Sequence, residues 1–180
     1  GGGVNVARAI YRLGGETLAV FTQGGPWGRL LVDLMNAEGV PRMPIPIEGF
    51  TRESFTVRDE TSGQQYRFSL PGPELSEAEY ASCFEALEDL DPKPDYLVAS
   101  GSLTPGAPRD GYVRLAKMVR EWGGRFILDS SGEEFTPSRR PAFGAGVSSA
   151  PAAASRAGAA CSWVSACRAW TAPRAGATTG

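Results

Sequence analysis

The chain has 180 residues, which is enough for one ordinary domain, with 18 basic and 20 acidic residues and no histidine. Three cysteines without a CxxC pair and the lack of histidine argue against a zinc protein. Residues 138–180 are basic, but they lack the aromatic spacing of a surface that stacks on nucleic-acid bases, so we expect no nucleic-acid partner. No long apolar run or leader is visible, so we expect no membrane partner and a cytoplasmic protein in which Cys83 is buried and reduced.

The first predicted element is a helix that follows a glycine run, Gly1–Gly3, and ends before Gly14. Glycines let a ligand approach the backbone, and the free N–H groups of a helix start favour a hydroxyl or an anion. Because a glycine turn of this kind needs a strand before it, we interpret residue 1 as lying within a longer polypeptide. Strands are predicted at 18–22 and 43–47, around a helix at 27–37 with Leu30, Leu31, Leu34 and Met35 on one face.

The next segments alternate apolar and polar residues with period two, at 54–58 and 65–70, around a turn at 61–63. This pattern predicts a β-hairpin that projects from the body. A capping box at Ser76–Glu79 then begins a helix, and strands at 96–102 and 125–129 flank a helix at 109–122. The alternation of strands and helices predicts an α/β domain with a parallel sheet, in which ligands bind at the carboxyl ends of the strands.

Composition changes near Pro137. Residues 138–180 contain 14 Ala and five Arg but no Asp, Glu, Lys, Leu or Ile, and they show no apolar periodicity. We therefore predict a domain at 1–137, with the hairpin at about 51–70, and a low-complexity tail at 138–180. The tail is interpreted either as a frameshifted end of the reading frame or as a disordered extension.

Five sequence blocks in register resemble the ribokinase-like (PfkB-type) sugar kinases, and most closely their minor-type 6-phosphofructokinase branch. These blocks cover about residues 1–136 and are GGGVNVARAI, TR at 51–52, SGQQYRF at 62–68 followed by PGP at 71–73, SGSLTPG at 100–106, and DSSGE at 129–133. The resemblance implies a Rossmann-type sheet with helices on both faces and a small β-hairpin lid, of which this chain holds a truncated part. It also implies a homodimer formed through the lid in the full-length parent.

The resemblance further implies transfer of the ATP γ-phosphoryl group to a sugar phosphate, with Mg²⁺, and fructose 6-phosphate is the best-matching substrate. By this likeness Gly1, Gly2, Gly3 and Asn5 hold sugar hydroxyls, Arg52 and Arg67 bind the phosphate of the sugar, and Ser102 adds a hydrogen bond. The residue types suit these roles, because guanidinium groups match phosphate geometry and Asn both donates and accepts. Taken alone, Asn5 is equally suited to capping the first helix, whereas the two arginines are better explained as solvated charges and Ser102 as part of a turn.

Two family signatures are missing from the printed sequence: the Asn-x-x-Glu motif for magnesium and the Gly-Ala-Gly-Asp motif that carries the general base. We therefore expect no catalytic residue and no kinase turnover in the chain as written. Three alternatives stay open: a non-catalytic sugar-phosphate-binding fragment, a kinase for fructose 1-phosphate or tagatose 6-phosphate, and a dinucleotide-dependent oxidoreductase. The oxidoreductase is disfavoured because the glycine spacing is not GxGxxG.

Overall fold

A computed structural model describes residues 2–101, 103–108, 110–130 and 164–167. These residues form four helices and seven strands, which follow one another as α1 (Gly2–Arg12), β1 (Thr17–Gln23), α2 (Gly25–Glu38), β2 (Arg42–Pro46), β3 (Ser54–Arg58), β4 (Gln65–Ser69), α3 (Glu77–Glu88), β5 (Tyr96–Ser100), α4 (Gly111–Glu121), β6 (Arg125–Asp129) and β7 (Val164–Cys167). Among the described helices, none is long and apolar enough to cross a membrane.

Five strands form the main sheet in the order β2-β1-β7-β5-β6, and β3 and β4 form the separate hairpin. The pairs β1–β2 and β5–β6 are parallel, whereas β7 runs antiparallel to both β1 and β5. The sheet is therefore mixed, whereas the sequence predicted a parallel sheet. The strand at 164–167 lies within the predicted tail and was not foreseen, because four small residues carry no periodic signal.

Helices cover both faces of the sheet, as the sequence predicted. On one face Ala19 and Phe21 of β1 pack with α1 and α2 in a small core. On the other face Val20 of β1 joins a larger core that contains the apolar sides of α3 and α4. The two cores use alternate residues of the same strand, since successive side chains of a strand point to opposite faces.

The local signals of the sequence explain most helix boundaries. Ser76 caps α3 by accepting a hydrogen bond from the Glu79 N–H, and Glu79 completes the predicted capping box. The predicted apolar side of this helix is buried, and its Leu87 is 1% exposed. Cys83, which was predicted to be buried, is also 1% exposed. Helix α2 ends at Gly39, which has a φ of 72° and adopts the left-handed conformation that glycine permits.

The prediction of an apolar face on α2 is only partly correct. Met35 is buried, but Leu30 and Leu34 are about half exposed. The outer side of α2 is instead joined to α1 by charges, because Arg8 Nε donates to Glu38 Oε2 at 2.9 Å and Arg12 Nη2 donates to the same oxygen at 3.1 Å. The hydrogen bond from Arg8 lowers the pKa of the Glu38 carboxyl.

Candidate functional site

The carboxyl ends of β1, β2, β5 and β6 lie along one edge of the main sheet. This follows from the pairing, since β1 and β5 are both antiparallel to β7 and therefore run parallel to each other. In open α/β sheets this edge is where ligands bind. Two structural units meet the edge: the start of α1, and the root of the hairpin.

The start of α1 lies directly against the end of β5. A Cβ atom added at Gly2 would lie 2.0 Å from Ser100 Oγ, so the space of a side chain at Gly2 is already filled by the serine. Ser100 is 4% exposed, and its Oγ donates to Asp129 Oδ2 at 2.9 Å. The glycine thus brings the start of a helix, with its positive partial charge, to the neighbourhood of the exposed Asp129 carboxylate.

Gly2 and Gly3 belong to the first turn of α1, so these two glycines do not form the turn before the helix that the sequence predicted. Asn5 therefore lies inside the helix and is exposed, so the alternative that Asn5 caps this helix is wrong. Gly1 and Ser102, two further predicted site residues, lie outside the described residues.

The hairpin carries the two predicted phosphate-binding arginines. Arg67 lies on β4 opposite Thr56 and is exposed, on the face that also presents Ser54. Arg52 lies two residues before β3, and its Nη1 donates to the Leu70 carbonyl at 3.3 Å across the base of the hairpin. The contact places Arg52 at the root of the hairpin, whereas Arg67 lies further out along it.

The two faces of the hairpin differ in polarity. Phe55 and Phe68 stack across the strands at 5.0 Å between ring centroids, and Val57 and Tyr66 lie on the same side. All four of these side chains are about half exposed. The alternation was predicted from the sequence, but the extent of exposed apolar surface was not.

The tip of the hairpin is a turn built around Asp59. Its carboxylate accepts hydrogen bonds from the Ser62 hydroxyl and the Thr61 N–H, and these bonds lower the pKa of Asp59. Gly63 completes the turn with a φ of 71°. The predicted turn at 61–63 therefore lies where expected, with Asp59 added as its organising residue.

The root of the hairpin is held against the end of β1. The Gly24 N–H donates to Thr51 Oγ1 at 3.0 Å, and the Thr51 N–H donates to the Gly24 carbonyl at 3.0 Å. A Cβ atom at Gly24 would lie 1.8 Å from the Gly49 carbonyl oxygen, which shows how closely the two segments approach. Sequence reasoning did not assign Gly24, Thr51 or Ser100 a positioning role, although Thr51 and Ser100 lie in sequence blocks that carry the family resemblance.

A magnesium site needs several converging oxygen ligands. In the ranges that the structure describes, no group of three or more His, Cys, Asp or Glu side chains could hold a metal ion. Asp129, beside Ser100, therefore lies outside any such group. Mg²⁺ and ATP remain expectations from the resemblance, and none of the described residues is assigned to either.

The sequence of the chain matches the family described as pfkB family carbohydrate kinase over residues 1–143. The chain belongs to this family. An ATP-dependent 6-phosphofructokinase isozyme 2 of Mycobacterium tuberculosis (strain CDC 1551 / Oshkosh) is 47% identical to the chain over 132 residues, which are 73% of the chain and 39% of that relative. The pfkB chain thus spans about two fifths of the length of this curated relative.

Solved structures agree with the family assignment. Phosphofructokinase-2 from Escherichia coli in complex with fructose-6-phosphate superimposes with a TM-score of 0.68 at 42% identity, covering 74% of this chain and 44% of the other. A tetrameric inhibited form of the same protein superimposes with a TM-score of 0.68, covering 74% and 43%. The likeness confirms the ribokinase-like α/β fold that the sequence predicted for this pfkB chain.

Proposed function

We propose that this chain forms the sugar-phosphate-binding part of an ATP-dependent 6-phosphofructokinase. The reaction would transfer the γ-phosphoryl group of ATP to a hydroxyl of fructose 6-phosphate, giving the 1,6-bisphosphate and ADP. The main support is the likeness to 6-phosphofructokinases at 42–47% identity, one of which has been solved with fructose-6-phosphate. Fructose 1-phosphate and tagatose 6-phosphate remain alternative substrates of the same chemistry.

In this proposal the two units at the carboxyl edge divide the substrate between them. The glycines at the start of α1, with Asn5, bind hydroxyl groups of the sugar, and Ser102 adds a hydrogen bond. Arg52 and Arg67 bind the phosphate that the sugar already carries. The division is supported by the chemistry of the side chains, because guanidinium groups form strong paired hydrogen bonds with phosphate, whereas the amide of Asn5 can both donate to and accept from a hydroxyl group.

The arginine assignment predicts a specific loss of affinity. Each hydrogen bond to a charged group contributes about 1.5–3 kcal/mol, so replacing either arginine by alanine is expected to weaken binding of fructose 6-phosphate about 10–150-fold. Arg58 is a matched control, because it is exposed on the same hairpin but has no assigned contact with the sugar. Arg58→Ala is expected to change the Kd by less than about threefold.

Isothermal titration calorimetry of the full 180-residue chain measures these affinities, with fructose as a ligand that lacks the phosphate. Equal affinity of the wild-type chain, Arg52→Ala and Arg67→Ala for fructose 6-phosphate would contradict the assignment. A coupled assay with ATP then separates two functions of the same site. Turnover supports the kinase, whereas saturable binding without turnover supports the non-catalytic binding alternative.

We also propose that the apolar face of the hairpin, formed by Phe55, Val57, Tyr66 and Phe68, is a contact between two copies of the chain. Four half-exposed apolar side chains on one side of a two-stranded sheet make a patch that water solvates poorly. The resemblance led us to expect a homodimer through the lid. The Escherichia coli relative is known in a tetrameric inhibited form, so larger assemblies of this chain fall within the same proposal.

A further inference from the structure

The hairpin is joined to the rest of the chain by two connections. One follows β2 and covers residues 47–53, and the other covers residues 70–76 and leads into α3. The connections touch each other, since a Cβ atom at Gly49 would lie 2.5 Å from Pro73 Cβ. The position of the hairpin relative to the carboxyl edge therefore depends on how this pair of connections is held.

The Glu79 carboxylate links the two connections. Its Oε1 accepts a hydrogen bond from the Glu48 N–H at 2.7 Å, and its Oε2 accepts from the Ser76 N–H and the Ser76 hydroxyl, each at 2.8 Å. Glu48 belongs to the first connection, and Ser76 ends the second. One side chain on the first turn of α3 thus binds both segments that carry the hairpin.

This arrangement exceeds what a capping box requires. A capping box is complete when the glutamate accepts from the N-cap N–H and the N-cap hydroxyl accepts from the backbone of the glutamate. The bond to Glu48 is additional, it spans 31 residues in the sequence, and it uses the second oxygen of the carboxylate. The Glu48 N–H is also the main cause of the lowered pKa of Glu79, ahead of the bonds from Ser76.

Two other contacts hold the same connections. Thr51 exchanges two hydrogen bonds with Gly24 at the end of β1. Gly106, in the loop after β5, packs on Glu74 so closely that a Cβ atom there would lie 2.8 Å from Glu74 Cγ. The root of the hairpin is thus fixed to β1, to the loop after β5 and, through Glu79, to α3.

We propose that Glu79 is a positioning residue for sugar-phosphate binding, which holds the hairpin arginines over the carboxyl edge by joining the two connections. The inference rests on the proposed function, because the consequence for affinity arises from Arg52 and Arg67. Glu79 itself contacts no substrate. Its substitution changes where the hairpin lies, and small displacements of binding groups lower affinity.

The test uses Glu79→Gln and Ser76→Ala in the full chain. The glutamine presents one oxygen and one NH₂ group, so it cannot accept from both Glu48 and Ser76, and its NH₂ group opposes an N–H donor. Ser76→Ala removes the cap of α3 but leaves the Glu79–Glu48 bond in place. Both variants weaken the start of α3, so a merely structural role of Glu79 predicts similar behaviour of the two.

Two measurements separate the roles. Hydrogen–deuterium exchange reports on the hairpin without any ligand, and we expect faster exchange at residues 48–58 in Glu79→Gln but not in Ser76→Ala. Calorimetry with fructose 6-phosphate is expected to show about 3–30-fold weaker binding in Glu79→Gln alone. Unchanged exchange in the hairpin of Glu79→Gln, or a wild-type Kd in that variant, would overturn the inference.

The exchange measurement keeps this inference separate from the proposed function. If the wild-type chain does not bind fructose 6-phosphate, the proposed function is wrong, and the exchange data alone decide whether Glu79 holds the hairpin. If the wild-type chain binds and Glu79→Gln binds equally well, the proposed function stands and the positioning role of Glu79 is wrong.

Discussion

Replacing Gly2 by alanine tests the contact between the start of α1 and the end of β5. In an unconstrained helix this change adds up to about 1 kcal/mol of stability, because alanine has the higher helix propensity. Here the new Cβ atom would lie 2.0 Å from Ser100 Oγ and 2.8 Å from Ser100 Cβ. Ser100 is 4% exposed, so its side chain has little space into which it can rotate.

The contact of the new Cβ atom with Ser100 is expected to make Gly2→Ala destabilising. Overpacking costs about 1–3 kcal/mol, and loss of the Ser100–Asp129 hydrogen bond adds to this cost. After subtraction of the gain in helix propensity, we expect Gly2→Ala to lower the free energy of unfolding by about 1–3 kcal/mol. Urea denaturation followed by far-ultraviolet circular dichroism measures this difference.

Two further variants identify the cause of the loss. Ser100→Gly removes both crowding atoms. Its effect on the free energy of unfolding is therefore expected to be more favourable in the Gly2→Ala variant than in the wild type, by at least about 1 kcal/mol. Ala9→Gly, at an exposed position of α1, calibrates the propensity scale with an expected loss of about 1 kcal/mol. A gain in stability in Gly2→Ala would refute the reasoning.

The remaining predictions concern the large core and the hairpin. Burial raises the pKa of Tyr80 to about 12. Because the unfolded chain releases this proton at lower pH than the native chain, stability is expected to fall as the pH rises from about 10 to 12. Denaturation at several pH values measures this fall, and an equally steep fall in Tyr80→Phe would contradict it. Phe68→Ser is expected to shift sedimentation towards the monomer, whereas Thr56→Ala on the opposite face should not, and identical profiles of both variants and the wild type would exclude the proposed contact.

Local signals in the sequence predicted most of the fold. Alternating apolar residues indicated the hairpin, and the capping box at Ser76 placed the start of α3 within one residue. These features depend on neighbours in the sequence, which explains why they can be read from it. The prediction was wrong for Leu30 and Leu34, because of the four apolar residues only Leu31 and Met35 pack into the small core.

The parts that sequence reasoning missed depend on contacts between distant residues. Glycine has a low helix propensity, so nothing local places Gly2 in the first turn of α1, and its contact with Ser100 is visible only in three dimensions. Strand β7 is defined by pairing with β1 and β5, which lie far away in the sequence. The link from Glu79 to Glu48 is likewise invisible in the capping motif that contains Glu79.

Strand β7 has a consequence for the dimensions of the candidate site. Within the described residues, it is the strand that hydrogen-bonds to both β1, which anchors the hairpin, and β5, which ends at Ser100. Two interstrand spacings separate β1 from β5, which amounts to roughly 10 Å. A molecule that touches both the hairpin root and the Ser100 hydroxyl has to bridge this gap, and four residues of the chain, 164–167, set its width.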